Sequence, residues 1–202
     1  MKVRATTPNH ENATNFNIAA GSTTVVGTTL ENLKAAVCGE TGASAKYTAF
    51  AAAAKEQGYN QIARLFEATA AAEQIHIGME AALIVAAEPE YVKPEPPAAE
   101  GIATDLNLIS GALGEIYETS DMYPAFIEKA VEEGETKAVQ VFTRAKLAEA
   151  VHAELYLAAY NDIDAEDDDT FYLCPVCGYI HKGEDFEKCP ICFVPKAKFR
   201  AF

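Results

Sequence analysis

Two glutamate–histidine pairs carry the first hint of chemistry: Glu73 and His76 in AEQIH, and Glu149 and His152 in AEAVHAE. Three apart on a helix, the two side chains share a face and can reach one cavity. A single pair says little, because helices use glutamate freely and a lone histidine is usually just a satisfied side chain. Two pairs say more, because they occupy equivalent positions of a repeat. Tyr47, Phe50, Gly58, Phe66, Glu73 and His76 recur as Tyr123, Phe126, Gly134, Phe142, Glu149 and His152, each 76 residues later. Upstream the interval is 75, with Asn32-Leu33 matching Asn107-Leu108 and Gly39-Glu40 matching Gly114-Glu115. One residue is therefore inserted between Glu115 and Tyr123. Inside a helix an extra residue is most simply held as a π-bulge, a feature common at functional sites. The inserted segment carries Glu118, one turn after Glu115.

The first helix of each pair thus brings a glutamate, Glu40 or Glu115, and the second brings a Glu-x-x-His. One glutamate from each of two helices, plus Glu-x-x-His from each of two others, is the ligand set of a di-iron carboxylate bundle. Solvated surface glutamates on amphipathic helices are the plainer alternative. That alternative leaves unexplained why the acids fall at matching positions beside alanine, isoleucine and valine. Glu118 has no such match. Tyr47 and Tyr123 read either as core packing or as phenols hydrogen-bonded to a ligand carboxylate.

A second constellation lies in CPVCGYIHKGEDFEKCPIC, which supplies Cys174, Cys177, Cys189 and Cys192. Two Cys-x-x-Cys knuckles make a closed tetrahedral four-sulfur site, suited to zinc or to a single iron. His181, between the knuckles, and His10, in a polar arm, read as surface residues. Cys38 precedes Glu40 by two residues, about 200° round a helix. It should face away from the metals and is expected to be a small buried side chain.

These residues must be positioned by helices. A Thr-x-x-Glu capping box at 28–31 opens an alanine-rich segment that Gly58 closes. The expected organisation is an irregular arm over 1–27 and an all-α four-helix domain over 28–160. Its helix pairs occupy 28–87 and 104–160, joined by a proline-rich linker over 88–103. An acidic linker follows over 161–170. Residues 171–202, rich in cysteine, glycine, proline and aromatics, form a small β/loop metal domain.

The chain of 202 residues is half hydrophobic and carries a net charge of −14, so a sizeable core is possible. The acidity argues against nucleic acid, whose phosphates need basic partners, and against an anionic membrane surface. No stretch is expected to approach the roughly 20 apolar residues of a membrane span. The polar N-terminus lacks a signal-peptide run, which points to the cytoplasm. In that reducing compartment the Cys-x-x-Cys pairs read as metal ligands before disulfides.

CGE at 38–40, FEATAAAEQIH at 66–76, GEIYETSDMYPAF at 114–126 and CPVCGY at 174–179 resemble the rubrerythrin family over nearly the whole chain. The resemblance implies a ferritin-like di-iron four-helix domain followed by a rubredoxin-like domain. It implies two cofactors: a di-iron centre with oxo and carboxylate bridges, and one mononuclear iron in the four-cysteine site. Glu40, Glu73 and His76 would serve one iron, and Glu115, Glu149 and His152 the other, with Glu73 and Glu149 bridging. Between reduced and oxidised states one iron would exchange His76 for Glu118. The implied activity is reduction of hydrogen peroxide to water, with electrons from NAD(P)H through a separate reductase or redox carrier. The implied assembly is a homodimer in which one subunit's thiolate iron lies near the other subunit's di-iron site. The competing expectation is ferritin-like iron oxidation and storage. An oxygen-activating oxygenase and a zinc-ribbon interaction module are further alternatives.

Overall fold

The computed structural model describes residues 22–165 and 168–202. Most of the expected arm, with His10, and two residues of the acidic linker lie outside the described residues. Among the described residues, five α-helices precede the cysteine domain: α1 (Thr29–Glu56), α2 (Asn60–Ala87), α3 (Thr104–Tyr117), α4 (Tyr123–Glu132) and α5 (Thr136–Asn161). α3 and α4 are one continuous rod joined by a π-helical turn over Glu118–Met122. The π-turn is where the interval between the halves slips from 75 to 76, so the extra residue is absorbed without breaking the helix.

The helix ends follow from local chemistry. Thr28 accepts a hydrogen bond from the Glu31 amide, and the Glu31 carboxylate accepts from the Thr28 amide, closing the capping box of α1. Gly58 leaves α1 at φ 86°, a left-handed turn that glycine adopts without a Cβ penalty. α3 has no cap of its own, and the Gln57 side chain supplies one by accepting from the Thr104 amide at 3.0 Å. The mirror arrangement holds α1, whose Thr29 amide donates to Glu133 at 2.8 Å. Asn32 and Asn107 repeat this symmetry by accepting from the Gly27 and Ile102 amides, at 2.8 Å and 3.1 Å. Each helix pair therefore caps the other, and this locks the two halves about a pseudo-two-fold axis.

Two aromatic clusters sandwich the acidic interior. In one, Phe50 meets Phe66 at 5.4 Å and Tyr156 meets Phe66 at 5.1 Å. In the other, Phe126 meets Phe142 at 5.7 Å and Tyr123 meets Phe142 at 5.8 Å. Ahead of the bundle, Thr23 donates to Asp121 at 3.1 Å and the Thr24 hydroxyl lies 3.0 Å from that of Tyr117. The end of the arm is thereby tied to the π-turn.

Two expectations are corrected here. Cys38 is exposed rather than buried, because the face opposite Glu40 looks out of the bundle. α2 is long and apolar enough to cross a membrane by length and composition, with a window of mean hydropathy 1.2. It is nevertheless a bundle helix: it pairs with α1 and carries buried Glu73, His76 and Glu80.

The cysteine domain is a three-stranded antiparallel sheet of order β2-β1-β3, from β1 (Phe171–Leu173), β2 (Ile180–Lys182) and β3 (Arg200–Ala201). Phe171, Leu173 and Ile180 extend the bundle's own core cluster, so the domain packs against the helices rather than hanging from the linker.

Candidate metal centres

The helices bring Glu40 from α1, Glu73 and His76 from α2, Glu115 from α3 and Glu149 and His152 from α5 into one interior. All six are fully buried. Two overlapping clusters of ligand atoms, each within 4.8 Å, form there. Glu40, Glu73, His76 and Glu149 make one, and Glu73, Glu115, Glu149 and His152 make the other. Glu73 and Glu149 belong to both. Glu118, on the π-turn, is buried beside them but outside both clusters.

The histidine tautomers follow from their partners. His76 Nε2 lies 3.1 Å from the Cys177 carbonyl and His152 Nε2 lies 2.9 Å from the Gly178 carbonyl. A carbonyl only accepts, so each Nε2 carries a proton and donates it. Each Nδ1 is thus turned inward: His76 Nδ1 is 2.6 Å from Glu149 and 3.0 Å from Glu73, and His152 Nδ1 is 2.8 Å from Glu149. Metal-ligating histidines are commonly held this way, by a hydrogen bond on the far nitrogen.

The interior is short of positive charge. Burial pushes the carboxyls of Glu40, Glu73, Glu118 and Glu149 well above the usual carboxylate range, and the neighbouring acids add to it. Burial also raises Glu115, but the imidazole of His152, with Nδ1 3.7 Å from Glu115 Oε2, outweighs it and holds that carboxyl low. Burial disfavours charged His76, yet Glu149 outweighs it and lifts the imidazole to about 9. Glu40 Oε2, Glu73 Oε1, both oxygens of Glu115, Glu118 Oε2 and His152 Nδ1 are buried with no hydrogen-bond partner. Orphaned acceptors at this density, converging from four helices, fit cations bound among them. Oxygen with imidazole nitrogen is a donor set suited to iron.

Tyr123 donates to Glu40 by a short hydrogen bond and lies 2.9 Å from Glu80. Tyr47, its counterpart, lies beside Glu115 and helps hold that carboxyl down, without a full hydrogen bond. Glu80 is the residue that sequence reasoning missed. It is fully buried one turn after His76, and burial lifts its carboxyl to about 8. Its spacing from His76 was the available signal, but the repeat places Tyr156 at the matching position, so a search for identities between halves passes over it.

The four cysteines meet with Sγ separations of 3.4 Å for Cys174–Cys192, 3.6 Å for Cys174–Cys177 and 3.5 Å for Cys177–Cys189. A tetrahedral site with metal–sulfur bonds of about 2.3 Å has edges near ~3.8 Å. The cluster fits a single ion with slight expansion. Hydrogen bonds from Cys174 and Cys177 hold the Cys189 thiol well below its ordinary value, which favours a thiolate there. His181 is braced rather than free, between the Tyr179 hydroxyl and the Asp185 carboxylate at 3.0 Å each.

The first knuckle seals the helical site. Gly178, at φ 76°, packs so closely that a Cβ there would lie 2.4 Å from His76 Nε2. The thiolate and carboxylate sites therefore meet within one chain. A cavity of about 560 Å³ lies at the N-terminal end of α2 and is lined by Arg64, Asp168 and Lys182 among others, with none of the cluster residues. The convergence of ligand atoms, rather than cavity size, marks the chemical centre.

A family model described as Rubrerythrin matches residues 31–160, and one described as Rubrerythrin, rubredoxin-like domain matches residues 172–200. The chain belongs to the rubrerythrin family, non-haem di-iron proteins, here with a ferritin-like bundle and a rubredoxin-like iron domain. Within it, nigerythrin of Nitratidesulfovibrio vulgaris Hildenborough is 74% identical over 202 residues, covering 100% of both chains. Rubrerythrin-2 of Clostridium acetobutylicum is 35% identical over 179 residues, 86% of this chain and 96% of that protein. Solved structures described as the partially reduced and the fully reduced, all-ferrous states of nigerythrin superpose with a TM-score of 0.91 at 74% identity, covering 100% of each chain.

Proposed function

We propose that the protein is a terminal peroxidase: hydrogen peroxide, two electrons and two protons become two waters. Bound iron would supply the electrons, one from each ion of the helical site. Glu40, Glu73 and His76 would hold one ion and Glu115, Glu149 and His152 the other, with Glu73 and Glu149, which belong to both clusters, serving both. Glu118, buried on the π-turn outside both clusters, would take the place of His76 on one of them. Tyr123 and Tyr47 steady Glu40 and Glu115.

One observation carries this reading. The backbone carbonyls of the first cysteine knuckle, at Cys177 and Gly178, accept hydrogen bonds from the two ligand histidines. An electron arriving at the thiolate site is thus one hydrogen bond from a ligand of each helical position. Four sulfurs close the thiolate site, so it relays and binds no substrate. The electrons come from an NAD(P)H-linked reductase or redox carrier. The reading includes a homodimer, supported by exposed Leu106 and Leu113 on the outer face of α3. It also includes a cytoplasmic setting, supported by the absence of disulfides among the described cysteines. Iron storage has no use for a relay pressed onto the ligands, and it needs a shell of many subunits where this reading expects a small oligomer.

The test is stoichiometric. Iron-loaded protein, reduced anaerobically and freed of reductant, should consume a single equivalent of peroxide per helical site. Intact peroxide after full mixing would overturn the proposal.

A further inference from the structure

The repeat that pairs Glu73 with Glu149 and His76 with His152 also pairs Glu80 with Tyr156. One half of the bundle therefore holds an additional acid where the other holds a phenol. Glu80 is fully buried; Tyr123 and the imidazole of His76 face it, and the carboxyls of Glu40 and Glu118 are near enough to feel its charge. An isolated buried carboxylate is expensive to maintain, so its protonation state matters, and hydrogen-bond counting settles it.

The Tyr123 hydroxyl lies between two carboxyls. It makes its shorter contact with Glu40 Oε1 and lies 2.9 Å from Glu80 Oε1. A phenol has one proton and can donate once. A cation on Glu40 keeps that carboxyl ionised and able only to accept, so Tyr123 donates to Glu40. The second contact closes only if Glu80 carries a proton and donates it to the phenol oxygen. The chain then runs from Glu80 through Tyr123 to Glu40. It occupies Glu40 Oε1 and leaves Oε2, which has no hydrogen-bond partner.

The other half is built differently. Tyr156 turns its hydroxyl to Thr69. Tyr47 completes no hydrogen bond to Glu115, and both Glu115 oxygens are without partners. The ligand positions that the repeat makes equivalent are therefore unequal: one carboxylate has one oxygen without a hydrogen bond and the other has two, and an oxygen already accepting is the weaker metal donor.

We propose that Glu80 is a positioning residue: as a neutral acid it orients Tyr123, which pins Glu40 as a one-oxygen ligand and makes the two metal positions inequivalent. This rests on the di-iron reading above and extends it, since Glu80 is none of the ligands.

The experiment is Mössbauer spectroscopy of reduced protein loaded with ⁵⁷Fe, with iron content measured alongside, for wild type, Glu80→Gln, Glu80→Leu and Tyr123→Phe. Wild type should give two distinct ferrous doublets for the helical site besides that of the four-cysteine iron. Glu80→Gln should superpose on wild type, because an amide N–H replaces the acid O–H as donor. Glu80→Leu and Tyr123→Phe should shift the same one doublet and leave the four-cysteine doublet in place. An unshifted Glu80→Leu spectrum overturns the proposal. So does a Glu80→Gln shift as large as that of Glu80→Leu, which would mean that Glu80 acts as an anion. Should Glu80→Leu fail to fold, Tyr123→Phe becomes the reference: an unshifted Tyr123→Phe spectrum, or a Glu80→Gln shift as large as that of Tyr123→Phe, overturns the proposal. A wild type with two indistinguishable helical irons overturns the proposal and leaves the di-iron reading standing. A wild type that binds no helical iron ends both.

Discussion

Six buried glutamates, Glu40, Glu73, Glu80, Glu115, Glu118 and Glu149, surround two buried histidines. Without a cation, protons must do the neutralising. Glu80 is raised from 4.5 to about 8, chiefly by burial, and His76 is raised from 6.5 to about 9, where Glu149 overcomes burial. A raised group stabilises the fold fully below its unfolded value and loses that contribution as pH climbs through its folded value. The windows are 4.5 to about 8 for Glu80 and 6.5 to about 9 for His76. The melting temperature of metal-free protein should therefore fall as pH rises across that span. Iron, by displacing the proton of ligand His76, should weaken the dependence and leave the part that belongs to Glu80. Calorimetry of both forms checks this, and a metal-free protein that gains stability over the same span would contradict it. Glu118→Ala should slow peroxide turnover by more than it lowers iron content, as assayed on matched iron-loaded samples, since Glu118 lies outside both ligand clusters. Unchanged turnover would remove its role. At this scale the sequence was informative wherever chemistry repeats: the Glu-x-x-His pairs and the cysteine knuckles announce themselves by spacing. Glu80 and the exposure of Cys38 were not legible, because each depends on what the neighbouring helix presents.

The π-turn is the element that separates the two halves. By the upstream interval of 75, Glu118 corresponds to Ala43 of the first half, a small buried residue. Deleting Ser120 should restore the plain α-helical register of α1, with helix content unchanged by circular dichroism. It should also retain metal binding and lose the turnover that depends on Glu118. Full turnover in that variant would mean the π-turn is only an accommodation. The aromatic clusters hold the helices at this spacing, and Phe142 is fully buried against Tyr123 and Phe126. Phe142→Ala should cost about 3–5 kcal/mol in denaturant unfolding. The helices and the inserted residue were legible from alanine-rich periodicity, the capping box and the broken interval. The reciprocal caps, Gln57 on α3 and Glu133 on α1, were not, because they join residues distant in sequence.

On the scale of the whole molecule, the decisive arrangement is the cysteine knuckle seated on both ligand histidines. An acidic linker says nothing of where its domain will dock, so the sequence left this open. The contact makes a prediction at Gly178, where an added Cβ would collide with His76. Gly178→Ala should keep both iron sites, by metal analysis and visible spectrum, while slowing the passage of electrons between them. Cys174→Ser should stop turnover by external donors, while a chemically reduced helical site still consumes one peroxide. The most direct measurement of the central claim is anaerobic stopped-flow. Fully reduced, iron-loaded protein is mixed with hydrogen peroxide or with oxygen, and the ferric-thiolate visible bands are followed as they return. The account predicts fast return with peroxide and slow return with oxygen. Faster return with oxygen would contradict it and point to an oxidase, and no band at all would mean that the four-cysteine site does not relay electrons through iron.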